Sequence, residues 1–227
     1  MKQMEMKKTF TLLIILPMLM AVCPICTNAQ DNKGLTDYEA VNNLVVAERI
    51  YRSSHRNEEL RRLYFPDARA HTSWQSGSTS GFIDNKPVET DYSLPLVNRT
   101  GTALIKINGN KAFIEYPMTT SRGVWIHGKE ATLTSYMTLL YRCEKRNGTW
   151  GIADMTSINE ADELQPSIPG EDLGIDPAEV KGFRKSYRWL AYARIQAGGT
   201  ISQDLLGTDR PEEVKKVYEA AEEWLEE

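Results

Sequence analysis

The chain has 227 residues, 41% of them hydrophobic, with 27 basic against 31 acidic side chains and a formal charge of −4. That length buries one good core plus an appendage, and the acidic balance argues against nucleic acid, whose affinity comes mainly from neutralised phosphates. Three scattered His, no Gly-rich phosphate loop and no Gly-x-Ser-x-Gly elbow leave no metal, nucleotide or hydrolase signature, so no cofactor and no metal are expected.

Residues 1–29 read as a signal peptide. Lys2, Lys7 and Lys8 precede an apolar run, and Thr27-Asn28-Ala29 offers small residues at −3 and −1, so the exported chain begins at Gln30. The run is too short for a comfortable membrane span. A lipoprotein would need a small residue before Cys23 or Cys26, where Val22 and Ile25 stand. The expectation is a periplasmic or secreted bacterial protein with no membrane contact after cleavage. Removing three Lys and one Glu takes 27 and 31 to 24 and 30, a formal −6. Cys143 is then the lone cysteine, read as a buried structural thiol in YMTLLYRCEK.

Thr36 and Glu39 form a capping box, predicting a helix to about Ser54. Val41, Leu44, Val45 and Glu48 share one stripe on it; Leu44, Ala47 and Tyr51 share the next. A short helix follows over residues 57–64, ended at Phe65-Pro66-Asp67. Residues 68–74 read as a first strand and 75–80 as a flexible loop. Residues 97–107 turn through Asn108-Gly109-Asn110 into 111–120. Residues 132–145 turn through Arg146-Asn147-Gly148 into 149–159. Asn-Gly between β-rich runs is a strong hairpin signal, because Gly accepts the positive φ such turns need. Residues 165–176, with two Pro and two Gly, form a connector. Asp176-Pro177 starts a helix carrying Phe183, Tyr187, Leu190 and Arg194 and stopped by Gly198-Gly199. Asp209 caps a last helix whose apolar face is Val214, Val217, Tyr218, Ala221, Trp224 and Leu225.

This order of motifs resembles the SnoaL-like branch of the nuclear transport factor 2-like superfamily. It runs helices first, then LYFPDARAHTSW, an NGNKA hairpin and YMTLLYRCEKRNGTWGI, over about Thr36–Pro166. The tail resembles an extension carried by some SnoaL-like proteins of unassigned function. The resemblance implies an α+β cone: a curved antiparallel sheet wrapped around N-terminal helices, enclosing an apolar pocket, here followed by a C-terminal helical tail. Residues 30–166 would form the domain and 167–227 the extension.

The superfamily includes dehydratases, ketosteroid isomerases and polyketide cyclases, so the fold alone names no reaction. Its dehydratase-like members carry an Asp and a His at positions that fall on Ser53 and Asn98. Its isomerase-like members carry a base Asp and a donor Tyr at positions that fall on Thr72 and Glu48. None of the four groups is present.

Seven residues remain as candidates. Tyr51, Asn98 and Asp154 are read as catalytic: a phenol donor, a polar orienting group and a buried acid. Trp74, Thr72, Tyr136 and His71 are read as substrate-binding. Neighbouring strand residues face opposite ways, so His71 points away if Thr72 points in. The basic cluster Arg184, Lys185, Arg188 and Arg194 is expected to pair with the acidic last helix. The leading expectation is a pocket for a small hydrophobic, cyclic molecule, with any chemistry a cofactor-free acid–base lyase, isomerase or cyclase reaction. Its rivals are a ligand carrier without turnover and an interaction module forming a homodimer through the outer face of the sheet.

Overall fold

The computed structural model describes residues 34–227; the signal-peptide reading of residues 1–29 lies outside them. Helix α1 (Asp37–Ser53) begins at the capping box: Glu39 N–H donates to Thr36 Oγ1, and Thr36 N–H to the Glu39 carboxylate at 2.8 Å. Val41, Leu44 and Val45 are buried on it against the sheet. Each such side chain contributes about 1.5–3 kcal/mol. A short α2 (Asn57–Arg61) leads directly into β1 (Tyr64–His71).

Pro66 therefore stands inside a strand, where the sequence reading has it ending a helix. The pairing of β1 is interrupted between Tyr64 and Arg69, so the missing N–H of Pro66 falls in an irregular stretch. Residues expected as a loop form β2 (Ser76–Ser78) and α3 (Thr79–Asp84). The run 97–107 splits into β3 (Leu96–Thr100) and β4 (Leu104–Asn108), both along the same edge of β5 (Lys111–Ile126). The break lies opposite Pro117, which has no N–H to give; there Gly101 N–H donates to the Pro117 carbonyl at 2.8 Å.

Strands β6 (Lys129–Arg146) and β7 (Thr149–Pro166) complete a curved seven-stranded sheet in the order β2-β1-β7-β6-β5-β3, with β4 beside β5. Every pair is antiparallel except β1 with β7, which runs parallel. The β6–β7 turn places both Asn147 and Gly148 at positive φ, as a two-residue hairpin requires. His127-Gly128 makes a third such turn, at φ 48° and 76°, between β5 and β6.

Helix α1 lies in the concavity, over Ile114, Tyr116, Leu139, Tyr141, Ile152 and Met155. The tail divides between the two faces. Helix α4 (Pro177–Val180) and helix α5 (Arg188–Gln196) replace the single helix expected there. Leu190, Ala191 and Tyr192 of α5 pack with Val124, Ile126, Ala131 and Leu133 at the far end of the concave face. Helix α6 (Pro211–Glu226) covers the convex face, where Phe113, Leu140 and Ile158 meet Val214, Val217, Tyr218 and Ala221.

Asp209 does not cap α6. Its carboxylate is held by Arg184 and by Ser186 Oγ at 2.8 Å. Nor does the basic cluster dock on α6: Arg184 binds Asp209 and Arg194 binds Glu89. A homodimer through the outer face would have to use what α6 leaves open. Cys143 is free and fully buried, and burial pushes its thiol well up.

Candidate functional site

Between α1, α3, the 85–96 segment and the concave face of the sheet lies a cavity of about 720 Å³. Its floor is apolar: Met118, Met137, Leu139 and Met155 rise from β5, β6 and β7, and Leu190 enters from α5. Strand parity selects them. Odd-numbered residues of β6 and, between its two irregularities, of β7 face inward.

One wall is aromatic. Trp74 stacks on Phe82 with ring centres 5.7 Å apart, and the Arg52 guanidinium lies 3.9 Å from the Phe82 ring centre and 5.4 Å from that of Trp74. Arg52 also donates to the Phe82 carbonyl. Burial, then the neighbouring Arg49, lowers its pKa from the ordinary arginine value.

Beneath this wall a charged knot is sealed in the core. Glu48 is fully buried and accepts from Tyr64 Oη and Tyr141 Oη, each at 2.9 Å, and from Arg49. Burial works against the Arg49 charge, but the Glu48 carboxylate more than offsets it, so Arg49 titrates above its ordinary value. Burial and then Glu48 raise Tyr64; burial raises Tyr141, with Glu48 adding to it.

A second knot closes the opposite side. Glu89, 1% exposed at its side chain, binds Arg194 of α5 at 2.8 Å and Arg122 of β5 at 3.4 Å. Arg194 also donates to the Ser73 carbonyl, so the tail helix fastens two loops of the pocket rim. Burial lowers the Arg122 pKa, and its Nε–H has no partner.

Thr72, Trp74 and Asn98 line the cavity. Thr72 Oγ1 is engaged in its own turn, accepting from Gln75 N–H at 3.2 Å. Asn98 donates to Ser53 Oγ at 2.8 Å and accepts from Thr120 Oγ1 at 2.8 Å. The two positions where the resemblance expects His and Asp thus touch each other, as an amide and a hydroxyl.

Four candidates stand elsewhere. Tyr51 is outside the cavity lining, under Arg56 at 4.3 Å; one helical residue turns the direction by about 100°, and Arg52 takes the inward one. His71 and Asp154 face the convex side, where His71 Nδ1 meets Ser76 Oγ at 2.8 Å and Nε2 lies 3.7 Å from Asp154. The β7 bulge between Ile152 and Asp154 turns Met155 inward and Asp154 out, and burial there raises the Asp154 pKa. Tyr136 has the even parity of β6 and faces outward, 3.5 Å from Glu163.

The residues missed were Arg49, Arg52 and Arg122. The signal was available in Glu48, a charge within an apolar stripe, which is rarely buried unless paired.

No protein-family model matches the chain. Pea pathogenicity protein 2 of the fungus Fusarium vanettenii is similar at 25% identity over 187 residues, 78% of this chain and 80% of that one. A PEP2-like protein of the same fungus matches equally well. Among solved structures, a hexachlorocyclohexane dehydrochlorinase superposes with TM-score 0.50 at 11% identity, over 61% of this chain and 95% of its own.

The fold is thus the nuclear transport factor 2-like one. A nuclear transport factor 2-like protein of Novosphingobium aromaticivorans also superposes, with TM-score 0.42 at 14% identity over 57% of this chain and 85% of its own. The dehydrochlorinase match spans nearly all of that protein and leaves well over a third of this chain beyond it.

Proposed function

We propose that this nuclear transport factor 2-like domain is a receptor for one small molecule with a cyclic apolar body, bound in the α1–sheet cavity without acid–base turnover. The observation carrying the reading is the Ser53–Asn98 contact at 2.8 Å. At the two positions where dehydratase-like members would hold an acid and a base, this chain holds groups that stay neutral across the physiological range. The cavity itself supports binding. Its volume is that of a drug-sized ligand site, its floor is methionine and leucine, and polar side chains such as Asn98, Thr120 and Arg52 stand around that floor.

Titration of the full chain with N-phenyl-1-naphthylamine, a neutral fluorescent bicycle, tests the pocket. One saturable site is expected, lost in Met137→Trp, which fills the floor from a partly buried position while the chain still unfolds in one thermal transition. Absence of binding sinks the reading. The no-turnover part fails if a molecule co-purified from the native host, returned to the emptied chain, is recovered altered.

A further inference from the structure

The fully charged groups of the cavity are mostly cations. Arg49, Arg52, Lys86 and Arg122 line it, and Asp84 is the one carboxylate in the lining. Asp84 is already bound by Arg61 at 2.6 Å. Arg49 is answered by Glu48. Arg122 shares Glu89 with Arg194, one carboxylate between two guanidiniums. Lys86 donates to the Thr90 carbonyl, and Arg52 has no carboxylate within ion-pair distance among the described residues. Arg52, Arg122 and Tyr92 stand in the same lining.

Keeping unanswered guanidinium charge at a half-buried apolar wall is costly, and natural sites retain it where an anion completes the pairing. Arg52 is moreover held rigid, edge-fixed to the Phe82 carbonyl and stacked on two rings. A guanidinium so fixed has lost its rotamer freedom before any ligand arrives, and its remaining N–H groups suit a planar or tetrahedral oxyanion.

Resting on the receptor reading above, we infer that the ligand is a small organic anion, its carboxylate or sulfonate taken by Arg52 and Arg122 and its apolar ring body laid on Trp74 and the methionine floor. The charge is what makes this pocket selective. A neutral molecule of the same shape fills the floor but leaves the cationic wall unanswered.

Two probes of one shape separate the cases. 8-Anilino-1-naphthalenesulfonate carries the sulfonate that N-phenyl-1-naphthylamine lacks. The sulfonate is expected to bind the full chain at least tenfold more tightly, and Arg52→Gln to erase that gap while the neutral probe keeps its affinity. On the unmodified chain, raising salt from 0.05 to 0.5 M should weaken the sulfonate severalfold and leave the neutral probe unchanged, which keeps the test valid if the variant folds poorly. Equal affinity of the two probes, or no salt response, overturns the anion assignment and leaves the receptor reading standing. Binding of neither probe overturns both.

Discussion

Replacing Glu48 by Gln probes the knot beneath the pocket. Tyr64 and Tyr141 donate to different carboxylate oxygens, each at 2.9 Å, so the amide oxygen can accept from one of them while the amide N–H donates to the hydroxyl oxygen of the other, and the change removes chiefly the negative charge. What remains is the Arg49 guanidinium, 11% exposed at its side chain, with Met118 Sδ at 3.5 Å as its other contact. Removing one partner of a buried ion pair costs about 3–5 kcal/mol, because the other charge is left uncompensated. With a urea slope on the order of 2 kcal/mol per M, the unfolding midpoint should fall by about 1.5–2.5 M. The thermal midpoint should drop by about 6–20 °C. The mechanism has its own test in Glu48→Gln combined with Arg49→Met, which removes the stranded charge while the amide oxygen accepts from one tyrosine and the amide N–H donates to the other. The double variant should be more stable than Glu48→Gln alone. A single-variant loss below 1 kcal/mol, or a double variant as unstable as the two singles summed, refutes the reasoning.

Asp162 gives a pH signature. Burial raises its carboxyl to about 6 from 3.8, even as its Oδ2 accepts from Leu190 N–H at 2.7 Å at the start of α5. The folded chain therefore holds this proton where the unfolded chain has released it. Its stabilising contribution is full below pH 4 and is lost as pH rises through 6, by up to about 3 kcal/mol at roughly 1.4 kcal/mol per unit. Asp162→Asn keeps the cap and should raise stability in urea at pH 7.5 but not at pH 4; equal effects at both would refute this. On the convex face, Ala221→Arg should lift α6 from Phe113, Leu140 and Ile158. A cost of about 1–3 kcal/mol is expected, with a larger mass by light scattering as that apolar face self-associates; an unchanged mass and midpoint would refute it.

What could be read from the residues was what neighbours in sequence decide. The Thr36–Glu39 box and the Asn147-Gly148 turn span four and two positions, and both stand as expected. The outward face of His71 follows from alternation, whereas β1 ends there and Thr72 and Trp74 reach the cavity from the turn after it, not from a strand continuing to Trp74. Pro66 was misplaced because its strand is created by β7, whose residues lie some ninety positions on. The tail helix divides because Asp162, on a distant strand, receives the α5 amides, and because Arg184 is drawn to Asp209 and the Leu205 carbonyl. Asp154 was misdirected by a bulge that inverts parity, and bulges leave no local mark here. The cationic wall and the Glu89 knot were hidden for the same reason: Arg52 and Arg122 come from α1 and β5, and Glu89 meets Arg194 of α5, 105 positions on.

That last span has a consequence for how the protein is made. Arg194 ties Ser73 to Glu89 from a position 121 residues downstream of Ser73. At about 5–20 residues per second of synthesis, the segment carrying Glu89 waits roughly 5–20 s before the residue that fastens it exists. During that interval Glu89 has only Arg122 for company, and the pocket rim is unlatched. The rim of the nascent cone is thus completed only once α5 has been made.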